Sequence, residues 1–207
     1  TLAEPVAVEM ESFSVKANAF AGTFSLSAET ISMNLQEGNS AQVDVTLANA
    51  FSIAGVQADI VLPENLIVEE IIKGARVPEN YNPKPSSLET SGTVTLSSLI
   101  VEDFEGNDGV VFSLKLKAIG EVKGQLVVKN MIATEKSGAT AFEIDGEETV
   151  DVDFFYVYYN VNIAENVENG TVTADKEKAL SGETVALAVT PNEKVAMEVA
   201  FGASLAG

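Results

Sequence analysis

The sequence predicts an all-β fold, an antiparallel β-sandwich, on three observations. Apolar residues recur with a period of about two rather than about 3.6, Gly, Asn, Asp and Pro punctuate the runs at short intervals, and no segment carries a convincing amphipathic helical stripe. Residues 24–28 and 30–35 are the first strand candidates, followed by a turn at Glu37-Gly38-Asn39. In the run from Gln42, the residues Val43, Val45 and Leu47 face inward while Gln42, Asp44 and Thr46 face water. Val56, Ala58, Ile60 and Leu62 then alternate with Gln57, Asp59 and Val61, and Pro63 ends the strand because it has no N–H for a ladder. Residues 66–73 and 93–100 continue the series. The clearest alternation sets Val110, Phe112, Leu114 and Leu116 against Val111, Ser113, Lys115 and Lys117. Residues 125–133 and 149–159 complete it, with turns expected at Gly106 to Gly109, Gly120, Gly124 and Asp145-Gly146. At most one helical turn is expected, near Ser86 to Glu89.

Composition removes more functions than any motif adds. The 207 residues include 31 Asp+Glu against 12 Lys+Arg, a net charge of −19, and contain no His, Cys or Trp. Without histidine there is no Ser-His-Asp triad, imidazole base or His-ligated zinc; without cysteine there is no thiolate nucleophile, iron–sulfur site or disulfide. The acidic balance argues against nucleic acid and anionic membranes, both of which reward clustered Lys and Arg. A composition 46% hydrophobic and 21% charged fits one or two globular domains with a real core, not a disordered acidic tail. No run approaches the roughly 18 apolar residues needed to cross a bilayer. Thr1 to Met10 lacks a basic segment followed by an apolar one, so an export signal is expected to have been removed or never present.

One connection is longer than the rest. From Gly74 to Gly92 the chain carries Pro78, Pro83 and Pro85 with little periodicity, and structureless connections of that length are usually functional or disordered. Arg76, Asn80, Tyr81 and Asn82 are its candidate ligand-binding residues: a ring stacks on a sugar face, and amides bond paired hydroxyls. The competing reading has Tyr81 tucked over the end of the sandwich and the asparagines capping turns.

A second concentration of polar groups, Glu102 to Asp108, offers Asp103, Glu105, Asn107 and Asp108 as oxygen ligands for calcium, the single candidate ion. The spacing departs from the Asp-x-[Asp/Asn]-x-[Asp/Asn]-Gly loop, because Asp108 stands where Gly is needed, so a solvated acidic hairpin loop is the alternative. Asp151 and Asp153 share an exposed strand face that would add to an ion site or simply keep that face soluble. Glycoside hydrolysis needs two placed carboxylates, and no carboxylate pair here accompanies an aromatic cluster that would line a sugar cleft. Among Phe154, Phe155, Tyr156, Tyr158 and Tyr159, residues 154, 156 and 158 are expected on one face, filling the last sandwich strand and joining it to a second unit.

That small unit is expected from residue 158 to 207. Asn169-Gly170 between Val161-Asn162-Ile163 and Thr171-Val172-Thr173 is a strong hairpin signal, and Thr184 to Val189 reads as a third strand closed by Pro191. The apolar stretch Val195 to Gly207 suggests a further strand or an end that needs covering. The expected division is 1–22 as an N-terminal extension or first strand, 23–157 as the sandwich and 158–207 as the small, incomplete unit.

Features in order over residues 24–155 give this region a family likeness. Glu37-Gly38-Asn39, Phe51-Ser52-Ile53-Ala54-Gly55-Val56-Gln57, Leu62-Pro63-Glu64, Gly106-Asn107-Asp108-Gly109 and Val150-Asp151-Val152-Asp153 resemble the cohesin-like domains of bacterial surface proteins. That resemblance implies a jelly-roll sandwich, akin to some cellulose-binding modules, with a non-catalytic role in which one sheet face holds a dockerin module. Residues 159–195, with Glu168-Asn169-Gly170-Thr171-Val172-Thr173-Ala174, Ser181-Gly182-Glu183-Thr184-Val185 and Val189-Thr190-Pro191, resemble a small β-repeat of bacterial surface proteins. The Gly-Tyr step usual in that repeat is replaced here by Asn192-Glu193-Lys194. Together they imply an exported, surface-attached, non-enzymatic interaction module whose partner is a protein or, alternatively, a polysaccharide, with a structural spacer as the third option.

Overall fold

Burial alternates residue by residue, and that alternation builds the layers. The computed structural model describes residues 22–86, 91–136, 140–165 and 167–192, and among these it contains strands and no helix. In β3 (Ser40–Asn49) Val43, Val45 and Leu47 are fully buried while Gln42 is exposed. The same inward face is presented by Val56, Ala58 and Ile60 of β4 (Gly55–Val61) and by Phe112, Leu114 and Leu116 of β8 (Val110–Ala118). Val111 and Ser113 depart from the expected face: both are buried rather than solvent-facing, Val111 at a bulge where the β3 register jumps from Val45↔Phe112 to Thr46↔Val110.

Two sheets enclose the core. The smaller has the order β1-β3-β8-β5, with β1 (Gly22–Leu26) and β5 (Leu66–Lys73) at its edges. The larger has the order β2-β10-β9-β4-β7-β6, made from β2 (Thr30–Asn34), β10 (Ala141–Phe155), β9 (Val122–Thr134), β4, β7 (Gly92–Ser97) and β6 (Asn82–Ser86). Phe24, Leu47, Phe112, Leu114 and Leu66 from one sheet meet Ile60, Leu96, Leu126, Met131 and Phe154 from the other in a single hydrophobic cluster. This is the sandwich that the alternation predicts.

One pairing departs from the antiparallel expectation. β2 runs parallel to β10, with Thr30↔Asp151 through Asn34↔Phe155 in register. It can do so because β1 and β2 are one extended run that changes sheets. Ser27 N–H still donates to Asp44 O at 3.0 Å, whereas Asp151 N–H already donates to Glu29 O at 2.9 Å. The run thus borders both sheets.

Two expected turns, and part of the connection read as structureless, lie inside strands. Asp145-Gly146 sits at a bulge in β10, where the register shifts between Ile144 and Glu147; Gly146 has φ 106°, which explains the glycine without a chain reversal. Gly124 lies within β9, where an added Cβ would meet Pro63 Cβ at 2.7 Å, so close packing rather than a turn requires it. The connection read as structureless contains β6, an edge strand paired with β7 from Asn82↔Ser97 to Ser86↔Thr93. Pro83 and Pro85 are tolerated there because an edge strand needs donors on one side only. Of the helical turn expected near residues 86–89, Ser86 ends β6, and 87–89 lie outside the described residues.

Beyond Phe155, β11 (Tyr158–Asn160) pairs with β13 (Lys178–Leu180), and β12 (Gly170–Ala174) pairs with β14 (Leu187–Pro191). Asn169 has the left-handed φ of 64° that a tight Asn-Gly turn uses, but residues 161–163 form no strand beside β12. Partners more distant in sequence take up the β12 edge, so the short hairpin is replaced by two interleaved antiparallel ladders. Because β10 ends at Phe155, the expected common face of residues 154, 156 and 158 is broken. Phe154 enters the core, and Tyr156 meets Tyr158 edge-on, with ring centroids 6.3 Å apart. The apolar stretch 195–207 lies outside the described residues.

Candidate functional site

The strand directions bring the long connections to one end of the sandwich. β3, β5, β7 and β9 finish there and β4, β6, β8 and β10 begin there, so segments 50–54, 74–81, 98–109 and 135–136 crowd together. Backbone hydrogen bonds lace them: Phe104 N–H to Ile53 O at 2.8 Å, Glu105 N–H to Arg76 O at 2.7 Å, Asn49 N–H to Asn107 O at 2.8 Å and Ala54 N–H to Thr134 O at 2.7 Å.

Arg76 is the internal brace. Its guanidinium is 5% exposed and donates to Leu47 O (2.6 Å), Glu105 O (3.1 Å), Gly106 O (2.7 Å) and Asn49 Oδ1 (2.8 Å). Burial pushes its pKa down from the ordinary arginine value, and the negative charge of Asp108 opposes the shift. A guanidinium with its donors committed to internal carbonyls has little left for a ligand. The loop that delivers it starts at Gly74, where a Cβ would fall on the Val110 carbonyl, so no larger residue fits the turn.

Tyr81 is the second brace. Its ring is 1% exposed and stands edge-on to buried Phe104, with centroids 5.3 Å apart. The hydroxyl donates its one proton toward Ala54 O (2.6 Å) and Glu102 O (2.9 Å), and accepts from Glu102 N–H at 3.2 Å. Burial, with lesser help from the charges of Glu102 and Asp103, raises its pKa, partly offset by the backbone bond to Glu102. The ring therefore offers no face to a sugar. This corrects the stacking reading and agrees with the alternative in which it closes the sandwich end.

The neighbouring amides separate. Asn80 Nδ2 donates to Ile100 O at 2.7 Å while its buried Oδ1 has no hydrogen-bond partner. Asn82 is exposed on the edge strand β6. Arg76, Asn80, Tyr81 and Asn82 thus form two internal braces, a loop tie and a surface amide rather than one binding surface.

Asp103, Glu105, Asn107 and Asp108 are all exposed around buried Phe104, and Gly106 (φ 63°) and Gly109 (φ 136°) shape their loop. Among the described residues no three His, Cys, Asp or Glu side chains gather as they would around a metal.

What sequence reasoning misses lies between these braces. Leu99 and Ile100 fall within the strand expected over 93–100, but β7 ends at Ser97, and Leu99, Ile100 and Val101 stand 102%, 67% and 41% exposed. Beside them a shallow cavity of about 230 Å³ opens on the outer face of the larger sheet, lined by Gln57, Thr95, Ser97, Val101, Ile132 and Glu135 among others. Phe51, 52% exposed, stacks on Phe142 at 6.4 Å at the same end. The legible signal is the break in alternation itself: three aliphatic residues in succession, followed directly by Glu102 and Asp103.

No protein-family model matches the sequence, and a search of curated proteins found no match. Solved structures supply the likeness. The sixth cohesin of scaffoldin B from Acetivibrio cellulolyticus, solved in complex with a Cel5 dockerin mutant, superposes with a TM-score of 0.50 at 14% identity, over 65% of this chain and 99% of that one. A non-cellulosomal cohesin from Archaeoglobus fulgidus gives 0.46 at 15% identity over 63% and 90% of the two chains. The cohesin module of a Clostridium perfringens family 33 glycoside hydrolase gives 0.48 at 11% identity over 66% and 98%. The fold is cohesin-like, a jelly-roll β-sandwich, and the first of these comparisons carries that statement.

Proposed function

We propose that the chain is a non-catalytic protein-interaction module, exported and held at a cell surface in an adhesion or scaffolding role. The observation that carries this reading is the exposed run Leu99-Ile100-Val101, presented on loops braced from within by Arg76 and Tyr81. Adjacent exposed aliphatic side chains on a braced frame favour association, because covering them removes apolar surface from water without first ordering a loop. In this reading residues 23–157 bind and residues 158–207 form a small, incomplete repeat-like unit that extends the module. A sugar site draws no support from the buried Tyr81 ring.

Since one structural neighbour was captured with a dockerin, a panel of dockerin modules is the first set of partners to try. Biolayer interferometry of the purified chain against that panel and against soluble polysaccharides, each with calcium and with chelator, tests the reading. Saturable binding to a protein module, absent for polysaccharide, is the expected result. Binding to polysaccharide alone would overturn it, and a blank throughout would favour a spacer. Because a chelator strips calcium from a dockerin as readily as from this chain, an ion site in the loop 102–108 is tested on the chain alone by calorimetric titration with calcium; no binding heat is expected.

A further inference from the structure

We propose that the loop end accepts a protein segment in which an aliphatic side chain is flanked by lysine or arginine. This rests on the interaction reading above and names the chemistry of the partner and the place it docks.

Phe104 at 3% exposure plugs the end of the core against Tyr81, and Asn80 ties Ile100 O to the neighbouring loop, so the segment 99–101 is held outward. Val101 also lines the cavity, together with Ile132. An aliphatic side chain laid on Leu99 and Ile100 and entering that cavity would cover the exposed run in one contact, which is how a central anchor concentrates binding energy.

Charge surrounds this apolar run. Glu102, Asp103, Glu105 and Asp108 are exposed beside the apolar run, and Glu135 lines the cavity. In the segments 74–81 and 98–109 the one cation is Arg76, and it is committed to internal acceptors. On the fourth segment Lys136 is exposed next to Glu135. An approaching partner therefore meets an apolar centre with a negative rim, which attracts flanking Lys or Arg and repels flanking Asp or Glu.

The test is a ¹⁵N–¹H correlation titration of the whole chain with three synthetic peptides: alternating Leu/Lys, alternating Leu/Glu and alternating Ser/Lys. The expected result is saturable shifting of amides 55–57, 95–103 and 132–135 by the Leu/Lys peptide alone. The triple variant L99S/I100S/V101S, altered only at exposed positions and checked for unchanged spectral dispersion, is expected to weaken that binding at least about tenfold. The charge-reversed variant E102K/D103K is expected to turn the preference toward the Leu/Glu peptide. Equal binding of the Ser/Lys peptide at the same amides, unchanged affinity of the triple variant, or no focused shift would overturn the proposal. A dockerin that binds while these amides stay unshifted would sink this site but leave the interaction reading standing.

Discussion

At the scale of single residues, Arg76 and Tyr81 show why a polar side chain in a long connection is a poor guide to its own role. In the sequence each looks like a group reaching for a ligand, since Arg, Asn and Tyr in a loop are common recognition groups. Each instead satisfies carbonyls contributed by distant chain, Leu47 and Gly106 for Arg76, Ala54 and Glu102 for Tyr81. Those acceptors become neighbours only after the sheets form, so nothing local in the sequence announces them. Arg76→Ala should leave several buried acceptors unpaired and cost at least about 3 kcal/mol, measured by urea unfolding. Tyr81→Phe should cost about 1–2 kcal/mol and leave the ring packing intact. Asp59 provides a pH test. It accepts from Thr93 Oγ1 at 2.7 Å and Asn130 Nδ2 at 2.8 Å, and these two bonds, Asn130 foremost, hold its carboxyl below the ordinary value. Its folded form therefore binds a proton less readily than its unfolded form. The stabilisation is fully present above the unfolded pKa and is lost as pH falls through the lower, folded one. Asp59→Asn should flatten the acid limb of urea midpoint against pH between about pH 5 and pH 2 relative to the parent chain.

At the scale of elements, alternation makes the faces of β3, β4 and β8 readable, because a strand with one wet face leaves a period-two record in its side chains. It cannot reveal β6, whose prolines resemble loop chemistry, or the bulges, whose extra residue interrupts the count. Asn130 is the instructive case. It takes φ 50° where the registers of both β4 and β10 shift, and its amide then reaches Asp59. The apolar run 99–101 is likewise absorbed into an expected strand, since periodicity alone cannot show where the ladder stops. The edge formed by β6 gives a further test. Pro83 and Pro85 remove donors from a strand that borders the larger sheet. Replacing both with valine should produce concentration-dependent association by sedimentation velocity, as an unblocked edge recruits a second chain.

At the scale of the whole molecule, a net charge of −19 makes self-repulsion a global term. Raising ionic strength from about 10 mM to about 150 mM should raise the melting temperature by a few degrees, read by calorimetry, because screening relieves that repulsion. The opposing loss is small: the Lys115 and Lys117 contacts to Glu69, at 3.2 and 3.1 Å, are surface pairs with modest net contribution. The direction of the chain matters as well. It enters the sandwich with β1 at the braced end and leaves it after Phe155 at the other, where Gln36 Nε2 donates to Ser181 O at 3.1 Å. The apolar run and its acidic rim thus point away from the C-terminal ladders. The parallel pairing of β2 with β10 gives this layout a mechanical meaning. Tension drawn through the two exits would slide one strand along the other, straining five residue pairs together rather than peeling them apart in turn. A domain threaded this way carries a pull between its two exits as shear along that pairing.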